Sequence, residues 1–463
     1  MAVTEASQGL GQRDYSTSPD KYTSLDNLVD GTREDVRDIY AAIYGDQGLS
    51  GLVEVIGAKK SAGTADETVW YEEGRLGRSF ETGTTAGQIT KVDGVTISGG
   101  ADETDVVRVN DVVLNEDNTR FLITEVTTTV SGKDLSTANS ADSALTASKK
   151  YTIIGNAYAQ GTDQPSKPFA PRLTRRRNPF TIVKETFHVT GSQASNVGYV
   201  NVGGQNMWYL KGELDARRKF LNMREAMLVF SQNTGTTNAG FQLDGPDAAN
   251  GTTPGVAVPT SEGFFDAVED RGTVGVGVFE QGMDQTNGFD EVIVAIDKQG
   301  APLENALYLN KAASVKVDNL LGAAGLSGSG IGAMSAFGAF NNDKDMAIQM
   351  GFQSFTKGGY TFHKHDWKLL NDPVMGGVSS YEGGLIPLSQ IVDMKTGNRH
   401  HSLEMNYKSA GNYSRELEHW VEGGGVLGFN TGGEDLAKFN YRSECNLCVR
   451  GANQFVAFKA GTP

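Results

Sequence analysis

A run of β-prone sequence from Phe80 to Thr190, followed at once by an amphipathic helix, is the feature that most restricts what this chain can fold into. Apolar and polar residues alternate in Val106-Val107-Arg108-Val109-Asn110-Asp111-Val112-Val113-Leu114 and again in Phe121-Leu122-Ile123-Thr124-Glu125-Val126-Thr127-Thr128-Thr129-Val130. A period of two sends successive side chains to opposite faces, so each run reads as a strand with one wet face. Clusters such as Ile97-Ser98-Gly99-Gly100-Ala101-Asp102 read as turns between strands. The run is poor in apolar core material. It is therefore expected to be an arm that buries too little to stand alone and finds its missing contacts on neighbouring molecules. That points to assembly rather than catalysis.

Composition supports the same direction. The chain has 463 residues, room for two or three structural regions and a substantial core. Its 58 glycines and 38% hydrophobic content imply many turns and much surface facing solvent or partners. A net charge of -15 argues against nucleic acid as a directly bound ligand, because phosphate binding needs clustered Lys and Arg. An acidic shell around nucleic acid is compatible with that charge. The one basic cluster, Arg172 with Arg175, Arg176 and Arg177, reads as a salt-bridging face against an acidic neighbour in preference to a phosphate contact. The start, Met1-Ala2-Val3-Thr4-Glu5-Ala6, shows no basic segment leading into an apolar one, and no apolar run reaches membrane-spanning length. A soluble protein made in a reducing cytoplasm is expected.

Residues from Met1 to about Thr32 lack periodicity and read as an extended arm that orders against a partner. A short helix is expected from Thr32, with Val36, Ile39, Tyr40 and Ile43 on its apolar face. Strands are expected at Leu52–Ile56 and Thr68–Tyr71, and returning strands at Tyr151–Ala157 and Thr181–Thr190. The clearest helix runs from about Gln205 to Gln232. Leu210, Leu214, Leu221 and Leu228 recur along it beside Met207 and Met227, and Glu213 and Arg217 stand one turn apart. At 1.5 Å per residue it spans roughly 40 Å. Asn233 to Val258 reads as a loop. Strands follow at Val274–Phe279 and Glu291–Ile296, then a helix from about Pro302 to Leu321 that buries Ala306, Leu307, Val315 and Leu320. Gly322 to Ala339 is glycine-rich without a phosphate-loop pattern. Further strands are expected at Ala347–Phe352, Gly359–His365 and Ser443–Lys459. The fold class is α+β, with no fixed-period repeat.

Little in the chain suggests chemistry. Cys445 and Cys448 form a lone C-x-x-C inside an alternating, strand-like run, and the nearest histidine, His419, lies outside zinc-finger spacing. Two reduced thiols in a strand or core are expected. His363-Lys364-His365-Asp366 puts two imidazoles on one strand face, which can share a metal, but a catalytic metal needs a third ligand that no motif supplies. A polar strand face is the default there. His400-His401 follows a Gly-Asn turn and cannot present both rings to one side. No Gly-x-Ser-x-Gly elbow or His-Glu-x-x-His helix occurs. No catalytic residue, cofactor or metal is expected.

Taken in order, these parts resemble the major capsid proteins of tailed bacteriophages with the Hong Kong 97-type fold. Asn156-Ala157-Tyr158-Ala159-Gln160-Gly161-Thr162-Asp163-Gln164-Pro165 is similar to the family's strand-ending N-A-x-x-E-G-x-x-x-P segment, with Gln160 at the Glu position. Arg177-Asn178-Pro179-Phe180-Thr181-Ile182-Val183 leading to Phe187-His188-Val189-Thr190-Gly191-Ser192 resembles its return into the spine helix, with departures at Thr181 and Ser192. Glu416-Leu417-Glu418-His419-Trp420-Val421-Glu422-Gly423 and the strand after Ser443-Glu444 resemble its C-terminal portion.

The resemblance implies an N-terminal arm with lead-in strands (1–75), an extended loop (76–190) carrying an inserted β domain (about 87–149), and a spine helix with its connection (191–258). It also implies an axial domain with returning peripheral strands (259–420) and C-terminal peripheral strands (421–463). The implied function is mechanical. Copies form hexamers and pentamers of a virion's icosahedral shell, enclosing packaged double-stranded DNA without sequence-specific binding. Portal, scaffolding and decoration proteins are the implied partners, no membrane is involved, and assembly takes place in the host bacterial cytoplasm. No motif maps the family's covalent crosslink onto this chain. The competing reading is a β-rich phage tail or surface adhesin, against which the long helix counts.

Overall fold

The computed structural model describes residues 59–461 apart from 76, 94, 97–106, 138–139, 166–172, 195–200, 203–204, 207, 234–243, 247–253, 258, 281–287, 325–353, 375–376, 378, 389, 393–396, 398 and 424–435. The expected arm, the helix from Thr32, the strands at Leu52–Ile56 and Ala347–Phe352, and the turn at Ile97–Asp102 lie outside the described residues. So does the glycine-rich segment from residue 325 onward.

What is described is a strand-rich α+β protein built on three sheets. The 14-residue strand Leu436–Val449 organises the first. One of its edges pairs antiparallel with Thr181–Thr190 over ten residues. Its other edge is shared end to end by Glu418–Gly423 and Leu403–Tyr407, with Lys59–Ser61 beyond the latter. The long helix, Trp208–Phe230, packs on one face of this sheet. Phe220 is fully buried there against Val183, Phe439 and Tyr441, with its ring 5.8 Å from that of Tyr441. The inward stripe is Phe220 with the partly buried Ala216, Leu221, Met223 and Met227, and Leu214 is 44% exposed. Leu221, Leu228 and Met227 of the expected pattern therefore do face inward, while Leu214 does not, because the aromatic at Phe220 fixes the rotation. Gly212 sits where the helix crosses Thr181–Thr190, and a Cβ there would stand 2.5 Å from the Phe187 ring.

The second sheet has six strands in the order Thr273–Val276, Val456–Lys459, Tyr381–Pro387, Glu304–Leu309, Tyr360–Asp366 and Ser354–Lys357. Alternate residues feed two cores. Ala306, Tyr308 and Ile386 face one that also holds Phe264, Phe265 and Trp367, while Leu307, Leu309 and Leu385 face the other with Phe289 and Phe362. Burial on both faces explains one departure from expectation. Ala306-Leu307-Tyr308-Leu309 is the centre of a strand rather than of a helix, and the helix begins afterwards, at Lys311–Ala324. A short continuous apolar run fits either state by periodicity alone. Conversely Glu291–Ile296 is part of the helix Phe289–Lys298, which buries Phe289, Val292, Ile293 and Ile296, the i, i+3, i+4, i+7 set. Its β-branched residues carried the strand reading, and tertiary packing overrides that preference. Smaller shifts occur elsewhere: the 233–258 connection contains a hairpin, Asp244–Pro246 with Pro254–Ala257, and the strand near Val274 ends at Val276. The expected Ser443–Lys459 strand starts earlier, at Leu436, and is broken by a turn at Ala452–Gln454.

The third sheet has eight strands, all between Ser79 and Asn156. The strand expected from Val106 is confined to Asp111–Asn115, since Asn110 has φ 73 and turns the chain. The run from Phe121 divides into Arg120–Val126 and a second strand from Val130. The expectation of an arm with almost no core is overturned. The sheet rolls up, and Phe80, Ile89, Val113, Ile123, Val130 and Tyr151 all converge on one buried cluster. Few apolar residues suffice because nearly all the inward positions of a rolled sheet meet. The roll is laced by Gly87, whose N–H donates to Leu145 (2.8 Å) and whose carbonyl accepts from Val130 (2.8 Å). Gly87 has φ 74 and a Cβ would lie 2.6 Å from the Val130 oxygen, so only glycine fits.

With a cluster of its own, the rolled sheet should open as a separate unit. Ile123→Ala is expected to cost about 3 kcal/mol. Native-state hydrogen exchange should quicken within 79–156 and stay unchanged in 436–459; acceleration in both would contradict the separation.

Candidate functional site

Two seven-residue strands, Glu67–Glu73 and Leu173–Pro179, form an antiparallel ribbon that leads into and out of the rolled sheet. The arginine cluster lies on it. Arg176 meets Glu72 at 3.3 Å, Arg177 meets Glu67 at 2.7 Å, and Arg175 lies 3.9 Å from Glu67. The acidic neighbour expected for these arginines is the facing strand of the same chain; Arg172 lies outside the described residues. Partly exposed pairs like these fix register more than they add stability. One ribbon face leaves Tyr71 65% exposed and Val69 37% exposed. The other is anchored, with Trp70 buried and Glu72 accepting from both the Trp70 indole (3.0 Å) and the Gly451 N–H (3.2 Å).

The foot of the ribbon is a buried polar knot centred on Asn178, which is fully inaccessible. Its side-chain amide donates to the carbonyls of Leu447 (2.7 Å) and Glu262 (3.2 Å), and its side-chain oxygen accepts from the Glu262 N–H (2.8 Å). Asn446 donates to the Asn178 carbonyl (2.8 Å) and to Thr68 Oγ1 (3.1 Å). Thr181 Oγ1 accepts from the Ser261 N–H (2.6 Å). The Glu262 side chain forms a two-point pair with Arg271, at 2.5 and 2.8 Å. Burial opposes the Arg271 charge, yet the paired carboxylate holds its pKa above the ordinary value. Both strands of the ribbon, the long strand Leu436–Val449 and the helix Phe264–Arg271 thereby meet at one point.

The other singled-out residues are dispersed. His363 and His365 share a face of Tyr360–Asp366, and the His365 ring stacks on Tyr308 at 5.0 Å. Burial and the nearby His363 push the His365 pKa down. Among the described residues no group of three His, Cys, Asp or Glu side chains is placed to hold a metal. His400 and His401 are adjacent in the short strand Arg399–His401. His419 stacks on Tyr441 at 4.8 Å, with Nε2 3.7 Å from Glu213, and Glu213 also accepts the Tyr441 hydroxyl at 3.3 Å. Cys445 and Cys448 are free and buried in the strand Leu436–Val449. Burial pushes the Cys448 thiol up to about 12, and Asn406 donates to its sulfur at 3.0 Å.

Sequence reasoning missed Asn178, Glu262, Arg271 and Asn446. The usable signal was Asn178-Pro179 inside a β-prone run, a polar residue and a break in the ladder where a plain strand would carry neither.

No family model and no curated protein matches the sequence. Among solved structures the chain is similar to the capsid structure of the cyanophage P-SCSP1u, at 7% identity and a TM-score of 0.40 over 96% of each chain. It is similar to a structure from Gordonia phage Cozz, at 8% identity and a TM-score of 0.42 over 95% of this chain and 94% of that one. A structure from Mycobacterium phage Cain gives 11% identity and a TM-score of 0.40 over 96% and 100% of the respective chains.

Asn178→Ala strips partners from buried backbone groups on two elements and is expected to cost about 3 kcal/mol, measured as a lowered denaturant midpoint. Asn178→Asp, which turns an acceptor toward the carbonyls its amide served, should be no milder. Both thiols should resist a disulfide reagent at pH 8 in the folded chain and react as two equivalents in denaturant; prompt reaction of either in the native state would contradict their burial.

Proposed function

We propose that this chain is the major capsid protein of a tailed bacteriophage, a Hong Kong 97-type subunit. In this reading it self-assembles through hexamers and pentamers into an icosahedral shell around packaged double-stranded DNA. The observation that carries the reading is the ribbon. A two-stranded element is marginal in water on its own, and this one projects Tyr71 and Val69 outward while its other face is tied to the body. Exposed aromatic surface on a braced extension fits contact with a neighbouring copy. The sequence resemblance at Asn156–Pro165 and Arg177–Ser192 supports the same assignment, since the ribbon's return strand lies between and within these segments.

On this reading Glu67–Glu73 is the lead-in strand, the rolled sheet and Leu173–Pro179 belong to the extended loop with its β insertion, and Trp208–Phe230 is the spine helix. The sheet around Leu436–Val449 is the peripheral region, and the six-stranded sheet is the core of the axial domain. The work is mechanical and involves no turnover of substrate. DNA is enclosed without sequence-specific contacts, in keeping with a net charge of -15. Portal, scaffolding and decoration proteins would be the further partners, and assembly would take place in the host cytoplasm without a membrane. Among the described residues no helix is long and apolar enough to cross one.

Electron microscopy and size-exclusion chromatography of the chain expressed alone and with phage lysate test this. Rings of five or six subunits, or closed shells, are expected. Tyr71→Asp should leave circular dichroism unchanged and shift the population to free subunits. Monomers or trimers under both conditions would overturn the assignment.

A further inference from the structure

Where the chain leaves the rolled sheet, it borders a groove of about 330 Å³ lined by Val107, Val109, Val126, Tyr158 and Pro165, with the polar side chains of Arg108, Asn110 and Gln164. Its shape is set by the backbone. The Asn110 N–H donates to Ile123 (2.8 Å), its carbonyl accepts from Ala157 (2.9 Å), and the Arg108 N–H donates to Asp111 Oδ2 (2.8 Å). Asp111 is itself only 6% exposed, so the lip from Val107 to Asn110 is held from beneath. On the far side Thr162 turns back onto the Ala159 carbonyl, with Oγ1 at 2.7 Å, before the chain reaches Gln164 and Pro165.

Among the described residues, the Tyr158 hydroxyl and the side-chain amides of Asn110 and Gln164 have no hydrogen-bond partner, and the Arg108 charge acts on Asp111 beneath the lip. Polar side chains able to bond a ligand therefore surround one groove, beside a tyrosine ring that is 36% exposed and a Val107 floor that is fully buried. Among the described residues no carboxylate lines the groove and one cation, Arg108, does.

We propose that this groove binds a sugar. A sugar ring offers an apolar C–H face and a rim of hydroxyls that both donate and accept. The exposed Tyr158 ring and Val109 suit the face. The primary amides of Asn110 and Gln164 donate and accept side by side, and the Arg108 fork donates in pairs, which matches neighbouring hydroxyls. One guanidinium is too little charge for a nucleic-acid backbone, and the polar rim is too dense for an aliphatic ligand. The volume lies at the low end of small-molecule sites, so the ligand is the end of an oligosaccharide. The site does not depend on the shell reading, because every lining residue belongs to the rolled sheet or the segment leaving it.

Saturation-transfer NMR on the full chain with maltotriose, chitotriose and trigalacturonate tests it. Transfer to the ring protons of at least one trisaccharide is expected. Tyr158→Ala should weaken that binding about tenfold, and Tyr158→Phe should keep most of it, because the ring face does the packing. Gln164→Ala, at an exposed position, serves as a second variant with unaltered fold and should also weaken binding. Absence of transfer to all three sugars, or binding unchanged in Tyr158→Ala and Gln164→Ala, overturns the proposal. Either result would leave the assembly of subunits into rings or shells unaffected.

Discussion

The geometry of the fold depends on one buried asparagine. Asn178 uses both amide hydrogens, its side-chain oxygen and its backbone carbonyl to join three parts of the chain that are remote in sequence. In a low-dielectric interior such a network is strong when complete and costly when any member is missing. It therefore selects one angle at which the ribbon leaves the body. An apolar residue at this position would pack, but it would not specify direction. The adjacent Glu262–Arg271 pair has side chains that are about a tenth exposed, and it extends the same logic to the helix Phe264–Arg271.

From that point the chain makes economical use of alternation. The six-stranded sheet divides its residues between two cores, and an aromatic group bridges from it to the end of the long helix. Phe265 stacks on Tyr381 at 3.8 Å and on Phe230 at 5.6 Å. The Tyr381 hydroxyl donates to Glu269, and Lys459 lies over the Tyr381 ring while pairing with the same carboxylate at 2.7 Å. Burial and that carboxylate keep the tyrosine protonated at any ordinary pH. The contact is thus apolar in bulk and pinned at its rim.

Strand positions were legible in the sequence where one face is wet. Thr181–Thr190 and Tyr360–Asp366 were readable for that reason, and so was the helix at Trp208–Phe230, whose length leaves little ambiguity. Legibility failed where both faces are buried, as at Glu304–Leu309, because the alternating signal vanishes. It failed at Phe289–Lys298 because branched side chains have a local preference that packing overrode. It also failed for the rolled sheet, whose self-sufficiency depends on convergence of residues in space and not on their number. The knot and the groove were beyond reach for a related reason: each joins residues that only the tertiary fold brings together.

The strand Leu436–Val449 has ladder partners along both edges, and after Gly451 the same chain becomes a strand of the other sheet. Tension applied along its axis would load the Thr181–Thr190 ladder in shear. Its hydrogen bonds, which run across the strand, would have to fail together rather than one after another. A pull at right angles would unzip them singly. The long strand is therefore a strut with a preferred direction, stiff along its axis between these two sheets and yielding across it.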